Sequence, residues 1–268
     1  MPSITIDGRT RIYEDEGEGP AVILVHGSLS GARQWRKLGE RLRGRFRLLA
    51  ADLYAADGMM RGEGSAFEND CALVDALIAI GGGEGSLVGH SYGGVVAMRA
   101  ALGRRDALSG LVLIEPSCFH LLRQEGAAEF SEIADMRSQQ VRLAAAGDLA
   151  GSARFFIDYW MGAGAFDAMP ERRREAIVAG VPRVAQEWPG TWDDVTTLSD
   201  YRGLALRTLL MGARDTRAPS ARIVEMIRAA MPNFDAADLA SGGHMAPIVN
   251  PDPVNDAIVA FLDRIPAR

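Results

Sequence analysis

Apolar and polar residues alternate along positions 3–7 and again along 10–14, with Asp7-Gly8 between them. A two-residue period with a turn dipeptide at its centre predicts an antiparallel hairpin. The pattern changes at Ala21-Val22-Ile23-Leu24-Val25, a continuous apolar run bounded by Pro20 and by His26-Gly27. A strand that is apolar on both faces is expected inside a parallel sheet covered by helices on each side. A helical stretch near 31–43 follows, then a second apolar strand over 46–51 that ends at Asp52. Ser65 and Glu68 stand three apart, the signature of a capping box for a helix near 66–80. Short strands at 86–88 and 111–114 flank a small-residue helix over 92–102.

This alternation predicts an α/β fold, a mostly parallel twisted sheet with helices on both faces. The alternation stops near Pro116, and from 118 to 204 the pattern is helical throughout. A strand resumes at 204–211, then a helix carrying Ile223, Met226, Ile227 and Ala230, and a last strand near 234–240. A final helix opens at Asn250-Pro251 with Val254, Ile258, Phe261 and Leu262 on one face. The domain reading is therefore a core of residues 1–117 and 205–268, interrupted by a helical insertion at 118–204. Phe155, Phe156, Tyr159, Trp160 and Phe166 of the insertion are read mainly as its own core, and as a group they suggest an apolar roof.

Composition narrows the function. The chain has 268 residues and a net charge of −6, which argues against a nucleic-acid partner. No apolar run approaches the roughly 20 residues that span a bilayer, so no membrane partner is expected. The first 20 residues lack a signal core. The two cysteines, Cys71 and Cys118, are too few for a disulfide framework, and a cytoplasmic protein with free thiols is expected. There is no metal-ligand spacing and no dinucleotide fingerprint, so no cofactor is expected. The partner expected is a small-molecule substrate.

The chemistry is concentrated in Gly89-His90-Ser91-Tyr92-Gly93-Gly94, which lies between a predicted strand and a predicted helix. A nucleophilic serine on such a turn forces its neighbours against other backbone, and small residues fit there. Serine needs a base and an orienting acid. Of the four histidines, His244 lies in the glycine-rich loop Ser241-Gly242-Gly243-His244, past the last strand, and is the base candidate. Two carboxylates sit at predicted strand ends. Asp215, in Gly212-Ala213-Arg214-Asp215, is preferred, and with it the chain order is Ser, Asp, His; Glu115, in Ile114-Glu115-Pro116, is the alternative. Two backbone N–H groups are expected to form an oxyanion hole, one from Tyr92 and one from Ser28 in the loop after strand 21–25. Cys118 is read as a small buried hydrophobe.

Together, Val25-His26-Gly27-Ser28 with Trp35, Gly89 to Gly94, Gly212-x-x-Asp215 with Pro219, and Gly243-His244 resemble the α/β-hydrolase superfamily, in the branch with a helical cap. The resemblance implies Ser91 as nucleophile, Asp215 as acid, His244 as base, Ser28 and Tyr92 as oxyanion donors, and a cap at about 118–204. In some members the acid stands at the strand before the cap, the position of Glu115. Many members carry D-x-x-G-H-G where this chain reads Asp52 to Gly58 without G-H-G. A serine at residue 91 argues against the epoxide hydrolase and haloalkane dehalogenase branches, whose nucleophile is aspartate. The expected activity is hydrolysis of a carboxylic ester or related acyl bond in a small apolar substrate. Carbon–carbon bond hydrolysis, lactone hydrolysis or cofactor-free perhydrolysis on the same residues is the alternative, and a non-catalytic ligand receptor a distant third.

Overall fold

The apolar runs become the strands of one sheet. A computed structural model describes residues 1–6, 8–53, 65–104 and 106–265. Among the described residues, eight strands follow chain order as β1 (Ser3–Ile6), β2 (Arg9–Glu16), β3 (Ala21–Val25), β4 (Arg47–Ala51), β5 (Gly85–His90), β6 (Leu108–Ile114), β7 (Thr208–Ala213) and β8 (Phe234–Leu239). Across the sheet the order is β1-β2-β4-β3-β5-β6-β7-β8. The hairpin β1–β2 and the β2–β4 pair are antiparallel; every pair from β4 to β8 is parallel. Asp7 of the hairpin turn lies outside the described residues, as do Tyr54 to Gly58 of the segment that departs from D-x-x-G-H-G.

Side chains alternate across the central strands, and each face has its own core. Val22, Leu24, Leu48, Ala50, Val88 and Val112 pack with Leu38 and Leu42 of α1 (Arg36–Leu42) and with Ile258 and Phe261 of α11 (Pro251–Leu262). Ile23, Val25, Leu49, Leu87 and Leu111 pack on the other face, with α2 (Ala66–Ile80), α3 (Tyr92–Gly103) and α9 (Ala218–Ala230). The capping box is present at the start of α2. The Ser65 hydroxyl accepts from the Glu68 N–H at 3.1 Å, and the Glu68 carboxylate accepts from the Ser65 N–H at 3.0 Å.

Between β6 and β7 the chain leaves the sheet for five helices: α4 (Phe119–Gln124), α5 (Phe130–Ala145), α6 (Leu149–Met161), α7 (Glu171–Trp192) and α8 (Leu198–Arg202). The strand expected from residue 204 begins at Thr208, where pairing with Leu111 of β6 starts. Leu204 and Leu206 are apolar because they are buried, without being part of the ladder. A short α10 (Ala246–Val249) joins the histidine loop to α11. Among the described residues no helix is long and apolar enough to cross a membrane.

Candidate active site

The residues singled out by sequence gather at the C-terminal ends of β3, β5, β6, β7 and β8. Ser91 follows β5 with φ 55° and ψ −121°, a left-handed conformation that a serine adopts under constraint. Its neighbours show the constraint. A Cβ on Gly89 would stand 2.5 Å from the Gly93 carbonyl oxygen, and one on Gly94 would stand 2.9 Å from Pro116. A Cβ on Gly27 would meet the His90 ring at 2.9 Å. Small residues are required on three sides of the turn.

The Ser91 hydroxyl lies 2.8 Å from Nε2 of His244, and Nδ1 of His244 lies 3.0 Å from Oε2 of Glu115. Nδ1–H donates to the carboxylate, which leaves Nε2 free to accept the serine proton. Glu115 is buried, with φ 41°, and its carboxylate also accepts from the Ala213 N–H at 2.8 Å and the Thr216 hydroxyl at 2.7 Å. Asp215, the acid preferred from the sequence, makes no hydrogen bond to the imidazole. Its exposed carboxylate accepts the backbone N–H groups of Gly242 at 3.0 Å and Gly243 at 2.9 Å. Those two bonds, the Gly243 one foremost, hold its carboxyl below the usual carboxylate range. The structure thus joins Glu115, not Asp215, to His244, while Asp215 shapes the loop that carries the histidine.

The other histidines are structural. His26 is fully buried; its Nε2 accepts from the Leu53 N–H at 3.0 Å and its Nδ1 donates to the Gly27 carbonyl at 2.8 Å. Burial pushes its imidazole down from the ordinary value. His90 Nε2 donates to the His244 carbonyl at 2.8 Å, and its Nδ1 accepts from the Gln34 amide at 3.2 Å. The Gln34 carbonyl oxygen accepts the Gly27 N–H at 3.2 Å. One chain of hydrogen bonds therefore links the loops after β3, β5 and β8. Burial foremost, and then His244 nearby, pull His90 down to about 3, so this link is neutral at physiological pH. His120 is buried beside Thr196, at 3.3 Å, away from the serine. Cys118 is buried against Met98, and burial pushes its thiol up.

A cavity of about 250 Å³ opens on Ser91 and His244. Ser28, Leu29 and Gln34 line it on one side, and Phe156, Ile157, Trp160 and Met161 of α6 line it from the helices between β6 and β7. The Trp160 indole stacks on the His244 imidazole, centroids 4.1 Å apart at 30°. The other aromatics flagged in the insertion turn elsewhere. Phe155 and Tyr159 face α5, with the Tyr159 hydroxyl donating to Glu132 at 2.9 Å, and Phe166 is buried under Arg154. Tyr92 opens α3, so its N–H has no intrahelical acceptor.

Two contacts escaped the sequence reading. The Ser117 hydroxyl lies 3.1 Å from that of Ser91, and the only signal for it was its place two residues after Glu115. Gln34 carried no signal at all.

Known proteins are similar to this chain in sequence and in fold. The sequence model of the alpha/beta hydrolase family matches residues 22–257. An uncharacterized protein of Mycobacterium tuberculosis is 24% identical over 97% of this chain and 80% of its own length. A haloalkane dehalogenase of Sphingobium indicum is 26% identical over 98% of this chain and 95% of its own. Among solved structures, a thermophilic esterase from Thermogutta terrifontis superposes with a TM-score of 0.76 at 23% identity, covering 98% of this chain and 96% of that one. This last likeness shows the fold.

Proposed function

The chain belongs to the alpha/beta hydrolase family, and on that premise we propose that it is a serine hydrolase cleaving a carboxylic ester or related acyl bond of a small, apolar substrate. The observation that carries the proposal is the unbroken relay from Ser91 through His244 to Glu115. In the reaction, Nε2 of His244 takes the hydroxyl proton as Oγ of Ser91 attacks the acyl carbon. Glu115 holds the Nδ1–H tautomer and stabilises the imidazolium. The oxyanion is received by the N–H groups of Ser28 and Tyr92. His244 then protonates the leaving group, and a water deprotonated by the same nitrogen resolves the acyl-enzyme, returning the proton to Ser91.

The cavity supports the substrate class. At about 250 Å³ it is smaller than the roughly 300–1,000 Å³ of pockets for drug-sized ligands, which favours a short acyl group. Its cap side is largely apolar. The serine also argues against dehalogenation. Displacing halide from an alkyl carbon with serine would leave an ether, which has no carbonyl carbon for water to attack.

The test is turnover of a panel of chromogenic esters and lactones of graded acyl length. Short esters are the expected best substrates, and Ser91→Ala should lower kcat by about 10⁵- to 10⁶-fold with an unchanged melting temperature. Turnover by that variant within tenfold of the parent refutes the proposal.

A further inference from the structure

Arg183 and Glu187 stand one turn apart on α7, and both are buried. Glu187 Oε2 accepts the Ser28 hydroxyl at 2.5 Å. Arg183 pairs with Asp70 of α2, and the same Asp70 oxygen accepts the Tyr92 phenol at 2.7 Å. Arg11 of β2 pairs with the other Asp70 oxygen at 2.8 Å. Asp70 thus pairs with both guanidinium groups, and Glu187 stands one turn from Arg183 on α7, so that two carboxylates and two guanidinium groups are buried in this cluster. Such a cluster is a weak source of stability, because well-packed apolar residues in its place are often as stable or more so.

What distinguishes this cluster is which side chains it holds. Ser28 and Tyr92 are the two residues whose N–H groups serve as oxyanion donors in the proposed reaction. Each also adjoins a strained residue: Leu29 has φ 56° and Ser91 has φ 55°. Non-glycine residues persist in that region where their surroundings hold them. Ser28 is therefore tethered directly to Glu187, and Tyr92 indirectly, through Asp70 of α2, to Arg183 one turn away on the same cap helix.

We infer that Glu187 and Arg183 are positioning residues of the cap. By gripping the Ser28 hydroxyl and, through Asp70, the Tyr92 phenol, they set the spacing of the two oxyanion N–H groups. The hole is complete only when α7 is docked on the core. This rests on the reading of Ser28 and Tyr92 as the donors.

The experiment compares kcat, KM and the affinity of an aryl trifluoromethyl ketone in the parent, Glu187→Ala, Glu187→Gln and Ser28→Ala. The ketone adds to Ser91, its proton passes to His244, and the resulting alkoxide occupies the oxyanion hole. Active sites are counted with a fluorophosphonate, so that misfolded protein does not enter kcat. Glu187→Ala should lower kcat and ketone affinity together by about 10- to 100-fold, with KM steady, the size expected of a displaced donor. Glu187→Gln keeps an acceptor oxygen and should recover most of the loss. Ser28→Ala cuts the same tether from the other side, and combining it with Glu187→Ala should add little, as for residues acting through one contact. If Glu187→Ala does not fold, Ser28→Ala decides alone. An unchanged kcat per labelled serine, with only the melting temperature lowered, makes the cluster structural and overturns the inference. A parent that neither labels nor turns over esters overturns the serine-hydrolase reading itself, and the inference with it.

Discussion

Glu115 and Asp215 end neighbouring parallel strands, and a difference in placement decides which meets the imidazole. Glu115 leaves β6 in a left-handed conformation that turns its carboxylate into the buried space under the histidine loop. Asp215 lies two residues past β7, exposed, and spends its oxygens on the N–H groups of Gly242 and Gly243. Sequence places both acids at the same edge of the sheet and between Ser91 and His244 in the chain, and says nothing of backbone direction after the strand. Two substitutions separate the roles. Glu115→Gln should reduce kcat by on the order of 10³- to 10⁴-fold, as expected when the orienting acid of such a relay is neutralised. Asp215→Ala loosens the histidine loop without removing a partner of the imidazole, and should cost less, on the order of tenfold. A larger kcat loss for Asp215→Ala at equal folded yield contradicts the assignment.

The elements were legible wherever periodicity reports burial. β3 emerges at the bounds its apolar run predicts, and the helix after Ser65 carries its capping box. β7 was misplaced because apolarity at Leu204 and Leu206 marks packing, while only hydrogen-bond pairing marks a strand. The cap aromatics illustrate a finer limit. Phe156 and Trp160 lie four apart on the face of α6 toward the serine, and Phe155 and Tyr159 lie four apart on the face toward α5. Their spacing is identical, so sequence alone cannot assign either pair to the site. Contacts between distant elements were the least legible: Gln34 reaches His90 across 56 residues, and Ser28 reaches Glu187 across 159.

At the scale of the whole molecule, the framework that aligns the loops has a cost in acid. His26 and His90 are buried neutral, and His90 accepts a proton only near 3, against the ordinary 6.5. Between those values the unfolded chain binds protons that the folded one refuses. The stability contributed is therefore full above about pH 6.5 and lost as the pH falls, by up to about 1.4 kcal/mol per unit for His90, with His26 acting in the same direction. The depressed Asp215 adds its own loss only lower, as the pH drops below the usual carboxylate range. Urea midpoints should decline from pH 6.5 to 4.5, and His90→Gln should flatten that decline. Constant midpoints over the range contradict neutral burial of these rings. Every one of these features serves a single claim, that Ser91 is a nucleophile primed by His244. The most direct measurement is the mass and site of the adduct after treatment with a fluorophosphonate at neutral pH. One equivalent on Ser91, abolished by Ser91→Ala and slowed by Glu115→Gln, is the predicted result. No adduct on the folded parent, or an adduct on another residue, would contradict it.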